Sequence, residues 1–317
     1  MSLPLDNLLL GLIVPAWIQP LWLVGVGAVV ALVAIACAAM LLQFVAPKVA
    51  AIARTTAKEA VSQPMFYVLL AIGAFLLLLF PIVPYYTFGE DVKVVKETGL
   101  TLIMVLSIIL ALWTASVSVA DEIEGRTALT VLCKPVGRRE FILGKFLGVI
   151  GPVLLMFVVL GSLFLCSVSY KVSYDSRETA QPEPDAQQCQ QEMVQIAPGL
   201  ILALMEAVVL AAISVAISTR LPMLPNLVIC ASIYVLGHLV PMLANSSVGH
   251  QIPFVPFVAD LLATVLPVLE HFNIYGAIST GEPVSGEYLF WTGVYCLLYS
   301  TVAMLLALLL FEDRDLA

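Results

Sequence analysis

Residues 99–120 read GLTLIMVLSIILALWTASVSVA, and 121–145 continue directly as DEIEGRTALTVLCKPVGRREFILGK. The first stretch has no charged residue in 22 positions. As a helix it is about 33 Å long, enough to cross the roughly 30 Å hydrocarbon layer of a bilayer. The second stretch packs nine charges, five basic and four acidic, into 25 residues. Water is absent from the bilayer core, so a crossing segment must satisfy its own backbone, and an uncharged run of this length does so as a helix. The alternation of such runs with short charged connections predicts an all-α, polytopic membrane helical bundle.

Composition agrees. Of 317 residues, 61% are hydrophobic and 11% charged, with mean hydropathy +1.04. A water-soluble domain is nearer half apolar and a quarter charged. Fourteen Lys and Arg stand against 22 Asp and Glu, which excludes the basic face that nucleic-acid binding needs.

Six further runs join 99–120 as spans: 21–45, 65–84, 141–168, 197–218, 226–247 and 288–311. The run 252–269 is broken by Pro253, Pro256, Asp260 and Pro267 and reads as a re-entrant pair of short helices. The run 8–18 is too short to cross, and Trp17 and Trp22 suit an interface. Placing 46–64, 121–140, 219–225 and 312–317 on one side, with Lys145, collects ten of the 14 basic residues there. The opposite side keeps four bases against 13 acids. By the positive-inside rule the N-terminus is outside and the C-terminus cytoplasmic, in the cell (inner) membrane. The net charge of −8 is therefore a property of the outer face.

Cys37, Cys166, Cys230 and Cys296 fall in spans, Cys133 in the inner loop and Cys189 in the outer loop 170–196, which reads as solvated and flexible. No CxxC spacing occurs, and His250 and His271 lack the close ligand partners of a metal site, so no metal is expected. No nucleophile–base signature appears either, and nothing points to an enzyme.

The loop 121–140 begins with acids (Asp121, Glu122, Glu124) and ends with bases (Lys134, Arg138, Arg139), matching the helix dipole. Pro135 then stops the helix. A short amphipathic helix across the cytoplasmic mouth of two spans is the expectation; a plain solvated connector is the alternative. Within the spans, Glu206 is the one deep acid. It lies about 21 Å of helix from Arg220, and His238 about 18 Å from Asn226. Antiparallel neighbours joined by the short 219–225 connection would bring the two to similar depth. The pair would then line a path or lock a state, or else pack as neutral polar groups.

Glu122-x-Glu124-Gly125-x-Thr127, Lys134-Pro135-x-x-Arg138 and Gly144-Lys145-Phe146 together resemble the cytoplasmic loop of ABC-2 type permeases. These are the membrane subunits of type V ABC exporters and of transporters similar to the nitrous-oxide-reductase maturation permease. Residues 53–60, ahead of Pro64-Met65-Phe66-Tyr67, resemble that family's interfacial elbow helix, with Arg54, Lys58 and Glu59 on it. Ser214 to Thr219, Leu266-Pro267, Phe272-Asn273 and Phe311 to Leu316 extend the resemblance to about residues 50–317. It implies an elbow helix at 46–64 and a six-span permease domain at 65–317, with a re-entrant outer segment at 252–272. Residues 1–45 are then an added interfacial segment and transmembrane helix.

The resemblance further implies that 121–140 is a coupling helix, with Glu122, Glu124, Gly125, Arg126, Thr127, Lys134, Pro135 and Arg138 meeting a separate ATPase. A second permease subunit, identical or different, completes the assembly in membrane lipid. ATP and Mg belong to the ATPase, because this chain has no P-loop. Its nearest approach, Gly144-Lys145, is followed by Phe146 and has Arg139 where the motif needs glycine. The competing readings are a membrane scaffold that recruits a cytoplasmic partner, and an ion-coupled secondary transporter using Glu206.

Overall fold

A computed structural model describes residues 15–83, 85, 90–120, 137–178, 182, 184–244, 261, 266–281 and 283–312. The described residues form helices and no strand. In chain order these are α1 (Leu21–Val45), α2 (Pro47–Ser62), α3 (Pro64–Leu79) and α4 (Asp91–Ala115), which passes into a π-helical turn, Ser116–Ala120. Then come α5 (Arg138–Glu178), α6 (Ala186–Ser218), α7 (Met223–Ala244), a 3-10 turn (Leu269–Phe272), α8 (Tyr275–Thr280) and α9 (Gly286–Glu312).

Among the described residues, five helices are long and apolar enough to cross a membrane alone: α1, α4 with its π turn, α5, α6 and α9. A sixth crossing arises if α2 and α3 count as one span bent by 61°. The sequence reading of seven spans includes α3 and α7. As a helix, α3 has 16 residues, about 24 Å, which is short of the hydrocarbon thickness. The α2–α3 break has a local cause. A residue before proline is driven out of the helical region, and Gln63, before Pro64, has ψ 140°. Pro64 then starts the next helix at the position where its missing N–H is harmless. The Gln63 side chain accepts a hydrogen bond from Trp113 Nε1 at 3.2 Å, fixing the break to α4.

Pairings at the helix ends set the directions. The start of α4 meets the end of α5 and the start of α6, through Asp91 with Lys171 and Lys96 with Glu192. At the opposite end, the π turn after α4 meets the end of α6 and the start of α7, and Phe141 of α5 stacks on Phe311 of α9 at 5.8 Å. We refer to these as the Lys171 end and the Asn226 end. The core between them is built from α4, α5 and α6, with Leu100, Ile103, Leu160, Phe164, Leu202 and Leu210 fully buried.

Helix α1 stands apart from this core, with Val24 its one buried side chain. It is tied at the Lys171 end, where Ser169 Oγ donates to the Trp17 carbonyl at 2.8 Å and Trp17 meets Tyr170 edge-on.

The expectation of a flexible loop over 170–196 is corrected. Helix α5 runs on to Glu178, and α6 begins at Ala186 behind a capping box of Asp185 and Gln188. Cys189 is buried on α6 rather than exposed in a loop. The helices continue beyond the apolar windows because their charged residues find partners on neighbouring helices.

Candidate functional site

Among the described residues, polar assemblies lie between α6 and α7 and at both ends of the bundle. The first joins α6 and α7. His238 Nε2 lies 3.5 Å from Glu206 Oε1, so these residues face each other at one depth. Glu206 is fully buried, and neither carboxyl oxygen has a hydrogen-bond partner among the described residues. His238 Nδ1 is 3.1 Å from the Tyr234 carbonyl oxygen. A carbonyl can only accept, so Nδ1 carries a proton. In a neutral imidazole Nε2 is then a lone pair aimed at a carboxyl oxygen. Two lone pairs repel, and one proton between them, on oxygen or on nitrogen, relieves both. Glu206 and His238 are thus placed so that a proton on either group would face an acceptor on the other. Tyr234, whose ring centre is 4.8 Å from that of His238, Tyr275 and Glu270 lie within electrostatic reach of the pair.

The second assembly is at the Asn226 end. Asn226, fully buried in the first turn of α7, places Nδ2 at 2.7 Å from Ser116 Oγ, 2.8 Å from Ser214 Oγ and 2.9 Å from Ser218 Oγ. An amide nitrogen has two hydrogens, so three serines share two donors. Cys230 Sγ donates to its Oδ1 at 3.3 Å. One side chain therefore ties the π turn after α4 to the end of α6 and the start of α7. Ser116 also donates to the Leu112 carbonyl at 2.7 Å. π turns inside helices are frequent at functional sites, and this one directly precedes residue 121.

Sequence reading used Asn226 only as a depth marker. A signal was present: an amide in the first turn of an apolar span, with Ser214 and Ser218 four apart on one face of the span before it.

Of the other expected site residues, Glu122, Glu124, Gly125, Arg126, Thr127, Lys134 and Pro135 lie outside the described residues. Arg138 is exposed at the first turn of α5. Arg54, Lys58 and Glu59 lie on the exposed face of α2, opposite its buried stripe of Val49, Ala53, Thr56 and Ala60. Most of the expected re-entrant segment 252–272 is outside the described residues; its last part is the 3-10 turn, packed on α7 and α6.

At the Lys171 end, two lysines are buried that the sequence places on the outer side, Lys171 in the 170–196 loop and Lys96 before the span 99–120. Lys171 Nζ is 3.1 Å from Asp91 Oδ2 and 5.2 Å above the Tyr174 ring. Lys96 pairs with Glu192 and donates to Gln195 Oε1 at 3.3 Å. Asp91, Asp175 and Glu178 bring carboxylate oxygens within 4.8 Å of one another. Burial pushes the Asp175 carboxyl above its ordinary range, opposed by Lys171 and reinforced by Asp91 and Glu178.

No protein-family model matches the chain, and no curated protein matches it.

Proposed function

We propose that the chain is the membrane-spanning permease subunit of an ABC transporter, exporting or flipping a substrate with ATP hydrolysed by a separate subunit. The observation that carries this reading is the order of elements. An amphipathic helix breaks sharply into an apolar one, and two short helical turns precede the last long helix. That is the order implied by the ABC-2 resemblance of residues 50–317. In this reading α2 is the elbow, residues 65–317 are the permease core, whose six membrane segments include the short α3, and α1 is an added transmembrane helix. The N-terminus is outside, the Asn226 end faces the cytoplasm, and a second permease subunit completes the assembly.

The Asn226 cluster suits such a device. A push on loop 121–140 reaches three helix ends that share one amide, and a rigid unit transmits displacement better than independent helices.

Affinity purification of the tagged chain from its native membrane is expected to bring down an ATPase. Glu124→Lys and Arg138→Glu are each expected to weaken that association at least about tenfold, since charge pairs set register at such contacts. Absence of an ATPase, or wild-type association in both variants, rejects the reading.

The Glu206–His238 unit favours a second reading, proton-coupled transport without ATP. The two separate in proteoliposomes: ATP drives uptake in the first and an imposed pH gradient drives it in the second.

Either way Glu206 is expected to trade stability for function. A buried carboxyl without hydrogen bonds is destabilising, and an apolar residue of similar volume relieves it. Glu206→Leu is expected to raise the unfolding temperature in detergent by roughly 2–4 °C per kcal/mol gained. Transport is expected to fall in Glu206→Leu and in His238→Gln. Loss of stability in Glu206→Leu, or unchanged transport in both variants, assigns the pair to packing instead.

A further inference from the structure

A cleft of about 960 Å³ opens between α1, α2 and α5 at the Asn226 end. It is near the upper end of the roughly 300–1,000 Å³ of ligand clefts. Its α1 wall is Ile35, Ala38, Ala39 and Leu42, and its floor on α5 includes Leu147 and Leu154. Small side chains create the hollow, and the exposed α1 leaves it open along its length. Its lining includes Arg54 and Lys58, one helical turn apart on α2 and both exposed, and no acid among the described residues lines the cleft. Arg54 also reaches across to α1, its Nη2 donating to Gln43 Oε1 at 3.3 Å. Trp17 holds the far end of α1, so the helix is tied at both ends.

We infer that this cleft holds one anionic phospholipid of the surrounding bilayer, with its phosphate between Arg54 and Lys58 and its acyl chains along α1. The inference goes beyond the transport reading and does not depend on an ATPase. Three features select this occupant. The α1 wall from Leu42 to Ile35 spans about 10 Å, so it holds only the first part of an acyl chain. The remainder continues into the bilayer along an exposed apolar helix. Two cations, with no acid among the described lining residues, select a negative headgroup over a zwitterionic one. Arg54 supplies planar donors suited to phosphate, of which the Gln43 contact uses one.

The test uses the full-length chain reconstituted in nanodiscs of phosphatidylcholine with one part in five phosphatidylglycerol, then extracted into detergent for native mass spectrometry. Wild type is expected to retain one phosphatidylglycerol roughly thirtyfold over its share of the bilayer, taking about 1 kcal/mol for each cation near a lipid surface. Arg54→Gln with Lys58→Gln is expected to remove this preference, and Arg54→Lys with Lys58→Arg to keep it. Ala39→Trp, which fills the hollow, is expected to abolish retention while leaving the unfolding temperature within a few degrees. Equal retention in wild type and the double Gln variant overturns the inference, as does full retention in Ala39→Trp. A cysteine at position 39 that cross-links to a second protein chain overturns it too, because the wall is then covered by protein.

Discussion

Replacing Lys171 with methionine is expected to destabilise the protein by about 3–5 kcal/mol, the range for removing one partner of a buried ion pair. The side chain is fully buried, so water does not screen the charge it leaves behind. Asp91, itself 6% exposed, loses the ammonium 3.1 Å away. The Asp175 and Glu178 carboxylates, already within 4.8 Å of Asp91, then repel it with the Lys171 ammonium no longer there to offset them. Methionine fills similar volume, so packing around Tyr174 changes little and the loss is electrostatic. Thermal unfolding in detergent measures it. The double variant Lys171→Met with Asp91→Leu is expected to recover most of the loss, because it removes the stranded charge along with its partner. A single variant as stable as wild type, or a double variant no better than the single, refutes this account.

The same cluster fixes a pH dependence. Burial raises the Asp175 carboxyl above its unfolded value, and Lys171 holds the rise in check. An acid raised in the folded state binds more protons folded than unfolded between the two values, so stability falls as pH rises through that window. Below the unfolded value the contribution is constant. Without Lys171 the raised value moves higher, and the falling limb of the Lys171→Met curve is expected to shift to higher pH.

The spans of this protein are readable because a bilayer imposes a length, and runs without charge of that length are few. The ends are not readable the same way. Charge at Lys171 or Lys96 marks a boundary in any local window, yet α5 continues through the first and α4 through the second, each in register with an acid on another helix. Those acids are 80 and 96 residues away in sequence, and no periodicity links them. Equal depth of Glu206 and His238 follows from counting residues on either side of a short connection. Their 3.5 Å approach depends on the rotation of α6 and α7 about their axes, which packing sets. Asn226 is closer to the reverse case: Ser214, Ser218 and Cys230 lie within twelve residues of it, Ser116 lies 110 away, and a polar residue at that position also marks the edge of its span.

The contact between α2 and α5 rests on glycines, and it predicts the other large effect. A Cβ placed on Gly144 would lie 2.7 Å from Ile52 Cβ and 3.2 Å from the Val49 carbonyl oxygen. One on Gly148 would lie 2.6 Å from Thr56 Cβ and 3.0 Å from the Ala53 carbonyl oxygen. These neighbours are backbone oxygens and β-carbons of branched residues, so none can rotate aside. Close approach at small-xxx-small spacing is the means by which helices pack in lipid, where no hydrophobic force drives them together. Gly148→Ala is expected to destabilise by about 1–3 kcal/mol through overpacking. Gly148→Leu is expected to expel α2 from α5, since four added carbons have no space. A disulfide reports this directly. A Cβ on Gly151 would stand 3.1 Å from Ala57 Cβ, near the 3.5–4.5 Å of a disulfide. Ala57→Cys with Gly151→Cys, in a chain whose own cysteines are replaced, is therefore expected to oxidise readily, and at least about tenfold more slowly when Gly148→Leu is added. Oxidation at an unchanged rate would mean that α2 holds its place without the glycine contact. In that event the helix is fixed by its connection to α3 and the Gln63–Trp113 hydrogen bond rather than by packing on α5.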